Sequence, residues 1–123
     1  MTDPNMTILY VDSPVASAAF YSELLDKTPV EASPTFALFV LHSGSQLGLW
    51  SRHTVEPAAT VGAGGGELAF SVSDNDQVQA LHDAWRARGL VIAQAPTTLD
   101  FGHTFVALDP DGHRLRVYAL SEG

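Results

Sequence analysis

One succession of hydrophobic patterns runs along this chain twice, and that repeat limits the fold more than any single motif. In the first pass, the β-branched and aromatic run at residues 7–11 stops at Asp12 and reads as a strand buried on both faces. Ser13 ahead of Pro14 then supplies an N-cap and a first-turn proline, and Ala16, Phe20 and Leu24, with Ala19 beside them, predict a helix that ends near Lys27, before Pro29. Strands are expected at 30–32, 36–41 and 46–51, with a turn at 42–45 between the last two. The second pass opens with a strand at 67–73. Asp74 caps the next helix, with Gln77 in the position of a capping-box partner, and Val78, Leu81 and Trp85 form one stripe before Gly89 closes the helix. Strands follow at 90–95, 104–109 and 114–120. The second copy starts roughly sixty residues after the first, which identifies a duplicated βαβββ module in an α+β chain. Module one spans 6–51, a linker 52–66 and module two 67–120, within a single domain over 1–123.

The linker holds Pro57 and the glycines Gly62, Gly64, Gly65 and Gly66. It does not read as a phosphate-binding loop, because it precedes a strand rather than a helix and no Lys-Ser/Thr follows it. Charge narrows the partners further. Six Lys and Arg stand against fourteen Asp and Glu, a formal charge of −8 with no basic patch, so neither a nucleic acid nor a membrane surface is an expected partner. Cysteine is absent, which removes disulfides, thiolate nucleophiles and Cys-type zinc sites. The N-terminus has no basic stretch leading into an apolar run, and no segment is apolar for the length of a membrane span, so a cytoplasmic location is expected.

The most specific stretch runs from Asp100 to Val117: Phe101-Gly102, a strand, Asp109-Pro110-Asp111-Gly112-His113, then an alternating last strand. It closely resembles the second module of the vicinal oxygen chelate superfamily, the glyoxalase/bleomycin-resistance family. The stretch from Asp12 to Leu25 resembles that family's first helix, so the likeness covers nearly the whole chain. Within the family, Gly48-Leu49-Trp50-Ser51, Pro57 and the tail after Phe101 resemble the phenazine antibiotic resistance group. The resemblance implies a vicinal oxygen chelate fold, in which the modules form a curled mixed sheet around a cavity, and commonly a homodimer. Enzymes of the family hold a metal through His, Gln or Glu on the first and fourth strands of each module. At those positions the resemblance puts Met6, Gly48 or Trp50, Glu67 and Arg116. A thioether, a glycine or indole, one carboxylate and a guanidinium make no ligand set for a divalent ion, so no metal and no cofactor are expected.

With Arg116 and Glu67 facing inward, two arrangements are open: an ion pair between them, or an Arg116 free to clamp a ligand carboxylate. Strand alternation sends Tyr118 the same way as Arg116, and Leu115 and Val117 toward the helix. It likewise joins Ile8 and Tyr10 to Met6. Trp50 is the expected stacking platform and Phe101 a second, with Gly102 letting a flat ligand approach the backbone and His103 near the mouth as a hydrogen-bond donor. Phe20, Phe36, Phe70 and Trp85 are expected in the core, and most of the five histidines in solvent.

The expected function is metal-free capture of a planar aromatic molecule, phenazine-like by resemblance, with no catalytic residue. The ligand-binding set is Trp50, Tyr10, Arg116, Glu67, Tyr118, Phe101, Gly102, His103, Ile8, Met6 and Gly48. The alternative is a glyoxalase-like lyase or another enzyme of the same family, and a third is a dimeric accessory module for a biosynthetic enzyme.

Overall fold

The computed structural model describes residues 2–121; Met1, Glu122 and Gly123, the ends of the single domain expected over 1–123, lie outside them. The chain divides into two compact units, Met1–Gly62 and Ala63–Gly123. Each holds one helix and one four-stranded mixed sheet.

In the first unit, β1 (Met6–Val11), α1 (Pro14–Leu25), β2 (Glu31–Ala32), β3 (Phe36–Val40) and β4 (Gln46–Ser51) build a sheet of order β1-β4-β3-β2. The first strand lies parallel to the last, and the other pairings are antiparallel. Ser13 accepts from the Ala16 N–H at 3.2 Å and Pro14 occupies the first turn, as the sequence predicts. The helix ends earlier than expected, at Leu25, where Asp26 turns left-handed and the Lys27 N–H reaches Ser22 O. Its buried face also differs: Pro14, Ser17, Ala18 and Tyr21 are buried, whereas Ala16 and Ala19 are exposed. Apolar residues surround this helix almost completely, so periodicity alone could not fix the face. The small pair Ser17 and Ala18 lets the helix lie close to Val11, Ala37, Phe39, Leu47 and Leu49, which form the core with Tyr21.

β1 is not buried on both faces. Val11 is buried on the helix side, while Met6, Ile8 and Tyr10 stand 37–42% exposed on the other. The segment expected as linker also starts later than its composition suggests. The Arg52 N–H donates to Val11 O, the Val55 N–H to Ser51 O, and the Val55 side chain is buried, so residues 52–55 are part of the first unit.

The second unit repeats the plan with β5 (Glu67–Ser71), α2 (Asn75–Ala87), β6 (Val91–Leu99), β7 (Gly102–Leu108) and β8 (Arg114–Leu120) in the order β5-β8-β7-β6. Asp74 caps α2 by accepting from the Gln77 N–H at 2.9 Å. The Gln77 side chain reaches one residue beyond the cap, accepting from both the N–H and the hydroxyl of Ser73 at 2.9 Å, so the capping box is shifted by one. Gly89 follows the helix at φ +90, as its role in helix termination requires. Val78 and Trp85 are buried, and Trp85 meets Phe70 and Phe105 edge-on at 5.5 and 5.4 Å. His82, expected in solvent, is buried beside Phe105, with Nδ1 3.0 Å from Asp83. β6 runs on to Leu99 through two register shifts, because residues 97–99 find partners on β7. After β7, buried Asp109 accepts from the N–H groups of Asp111 and His113, both at 2.9 Å, and closes the Asp-Pro-Asp-Gly turn.

Candidate functional site

Each sheet has one face under its helix and one face open. In the first unit the strand register aligns the open-face residues in rows. Met6, Gln46 and Val40 form one row, Ile8, Gly48 and Leu38 the next, and Tyr10, Trp50 and Phe36 the last. The last row is aromatic throughout. Gly48 lies in the middle of the face, and the Phe36 ring fills the space above it: a Cβ there would sit 3.1 Å from Phe36 Cζ and 3.5 Å from Ile8 Cγ1. Phe36 meets Trp50 edge-on, with ring centroids 6.0 Å apart.

Two expectations change here. Phe36 belongs to the open face and not to the core, and Gly48 is covered by it, so glycine at 48 makes a bed for Phe36. Sequence reasoning missed Phe36 because a strand's alternation does not say which of its faces is which until the neighbour is in register.

At the end of the same strands stands a polar cluster that sequence reasoning did not single out. Asp12 Oδ1 lies 2.7 Å from His53 Nε2 and 3.8 Å from Arg52 Nη2. The hydrogen bond from His53, with the charges of His53 and Arg52, holds the Asp12 carboxyl below the usual carboxylate range, although desolvation opposes it.

In the second unit, Arg116 is the centre of the open face. Its register partner Ala69 is small, so the guanidinium extends diagonally to Glu67. Nε donates to Glu67 Oε1 at 2.6 Å, Nη2 to Oε2 at 3.3 Å, and Nη1 to Thr104 Oγ1 at 3.2 Å. Thr104 is fully buried and donates its own hydroxyl proton to Val117 O at 2.8 Å, which fixes the oxygen that Arg116 uses. The side chains of Arg116 and Glu67 keep 18% and 32% exposure. Of the two arrangements left open, the structure has the ion pair. Tyr118 lies in register with Thr104, and Phe101 meets it edge-on at 6.3 Å.

His103 is a correction. It pairs in register with Ala119, on the helix-side face opposite Arg116 and Tyr118, and its Nδ1 lies 3.1 Å from Thr98 Oγ1. Gly102 has a backbone reason of its own: its φ is +150, and a Cβ there would fall 2.0 Å from Ala119 O, so the neighbouring strand requires glycine at this position. The structure thus gathers Met6, Ile8, Tyr10 and Trp50 on the open face of one unit, and Glu67, Arg116 and Tyr118 on that of the other, with Phe101 against Tyr118.

The side chains at the positions that the resemblance assigns to a metal, Met6, Gly48 or Trp50, Glu67 and Arg116, do not fit a metal ion: Glu67 is paired with the fixed positive charge of Arg116, which opposes a cation, and no three His, Cys, Asp or Glu side chains come together among the described residues.

A duplicated βαβββ chain with these open sheet faces defines a class, and sequence comparison agrees: residues 4–117 match the Glyoxalase/Bleomycin resistance protein/Dioxygenase superfamily, to which the chain belongs. Among individual proteins, it is 29% identical over 120 residues to the phenazine antibiotic resistance protein EhpR of Enterobacter agglomerans, covering 95% of this chain and 92% of that one. Protein ATC0852 from Agrobacterium tumefaciens, solved by NMR, is 58% identical with a TM-score of 0.92, covering 99% of this chain and all of the other. A glyoxalase-related enzyme from Fulvimarina pelagi shares the fold at 22% identity and a TM-score of 0.83, over 97% of this chain and 88% of that one. No helix among the described residues is long and apolar enough to cross a membrane.

Proposed function

We propose that this protein captures a planar aromatic small molecule of the phenazine class and holds it without chemical change, as a cytoplasmic homodimer. The observation that carries the reading is the aromatic row Tyr10, Trp50 and Phe36 on an open sheet face. A flat ligand stacked on such a row gains about 0.5–1.5 kcal/mol per aromatic pair beyond the burial of its own surface. The relationship to a phenazine antibiotic resistance protein supports the ligand class. The poor metal donor set supports capture over the metal-assisted reactions of the family. Pairing with a second copy is supported by the apolar side chains left in solvent, Met6, Ile8, Tyr10 and Val40, at 37–44% exposure.

Tryptophan-fluorescence titration of chelator-treated protein with a phenazine carboxylic acid and with its carboxamide tests this reading, a nonplanar molecule of similar size serving as control. Saturable quenching by either phenazine, absent with the control and lost in Trp50→Ala but retained in Trp50→Phe, is the expected result. Unchanged affinity in Trp50→Ala removes the stacking platform, and turnover of the compound removes simple capture. Sedimentation at micromolar protein decides the dimer.

A further inference from the structure

We infer that the open face of the second unit selects a neutral ligand edge carrying an acceptor beside a donor, as in a primary carboxamide or a lactam, and disfavours a carboxylate; this rests on the planar-aromatic reading above. An arginine has five N–H donors. Three of those on Arg116 are committed, two to Glu67 and one to Thr104, which leaves one on Nη1 and one on Nη2. The Glu67 oxygens, each accepting one of these bonds, keep lone pairs to spare. The pair is partly open to solvent at 18% and 32%, so a donor and an acceptor stand side by side at an accessible edge. Tyr118, the next residue along on the same face, and Phe101 edge-on against it supply an aromatic border for the ring that carries such an edge.

Charge decides between an amide and an acid. Glu67 already neutralises Arg116, and a ligand carboxylate would place a second anion against the first, in a chain of net charge −8. Like charges brought together at a binding face are selected against. A carboxamide instead accepts from Arg116 through its carbonyl and donates to Glu67 through its amide, and leaves the pair intact. A clamp for a carboxylate needs an arginine without an acidic partner, and Thr104, buried and tied to Val117 O, holds this one in place beside Glu67.

The test uses benzamide and benzoate, one-ring probes that do not need the tricyclic platform, followed through the Arg116 Nε–H signal in NMR spectra of the whole protein. Benzamide is expected to shift that signal at about tenfold lower concentration than benzoate. In Glu67→Gln, which keeps an acceptor for Nε but removes the charge, the order is expected to reverse. Benzoate binding as well as or better than benzamide in the wild type, an unchanged order in Glu67→Gln, or no response to either probe each overturn the inference. A benzamide response together with phenazines that quench nothing supports this subsite and rejects the phenazine reading, so the two failures are told apart.

Discussion

Replacing Gly102 with alanine separates a backbone requirement from a ligand requirement. The added Cβ would stand 2.0 Å from Ala119 O, 2.9 Å from Ser121 N and 3.0 Å from Ala119 C, all backbone atoms that cannot rotate aside. Relief needs movement on the order of 1 Å between the end of β8 and the start of β7. That movement breaks the hydrogen bond from the Ser121 N–H to Phe101 O, now 2.9 Å, and the pairing of Gly102 with Leu120. A side chain at φ +150 adds strain, and strain plus one lost terminal hydrogen bond amounts to about 2–4 kcal/mol. With urea m-values of about 1–3 kcal/mol per molar, the unfolding midpoint should fall by roughly 1–2 M, read by far-UV circular dichroism and by fluorescence together. A midpoint within about 0.2 M of wild type would refute the reasoning. If ligand binding were weakened at that unchanged midpoint, glycine at 102 would instead be making room for a ligand.

Gly48→Ala tests the other close glycine. Its Cβ crowds the Phe36 ring at 3.1 and 3.2 Å and makes ordinary contact with Ile8 Cγ1 at 3.5 Å, and a half-buried ring can tilt by a few tenths of an ångström, so the loss should be about 0.5–1.5 kcal/mol with an altered near-ultraviolet aromatic signal. Asp12→Asn addresses pH. The folded carboxyl lies below its ordinary 3.8, so its stabilisation is present above the ordinary carboxylate range and is lost as pH falls through the folded value; the stability gap between wild type and Asp12→Asn should therefore narrow as pH falls through and below that range, and a constant gap contradicts the His53 contact. Adding zinc or nickel to chelator-treated protein should leave the melting temperature unmoved, whereas a site for either ion would raise it with metal concentration.

The strands that were legible in the sequence are those bounded by polar turns. β4 and β8 have the expected ends, because Ser45 and Arg52 flank one and the Asp109–His113 turn precedes the other. β6 was read four residues short, since Pro96 signals a break and only pairing with β7 carries the strand past it. The contact between Arg116 and Glu67 was legible because the family resemblance implies that both face the same way, but its form depended on Ala69 leaving a diagonal path and on Thr104 fixing the third bond. Phe36 departs from expectation because alternation divides a strand into two faces, and only the partner strand's register says which of them lies under the helix. His103 departs because β7 begins at Gly102, two residues before the expected strand, so the pleat decides the side this histidine takes.

The strand orders make the four outer edges of these sheets unequal. β2 is two residues long, and β6 is broken by register shifts around Pro96, so neither offers a regular ladder for a further strand to join. β1 and β5, six and five residues long without a proline, are each hydrogen-bonded to a neighbour strand on one side only. Any extension of either sheet must therefore begin at the first strand of a module, and the same two strands are where a misfolded or crowded chain would add to itself.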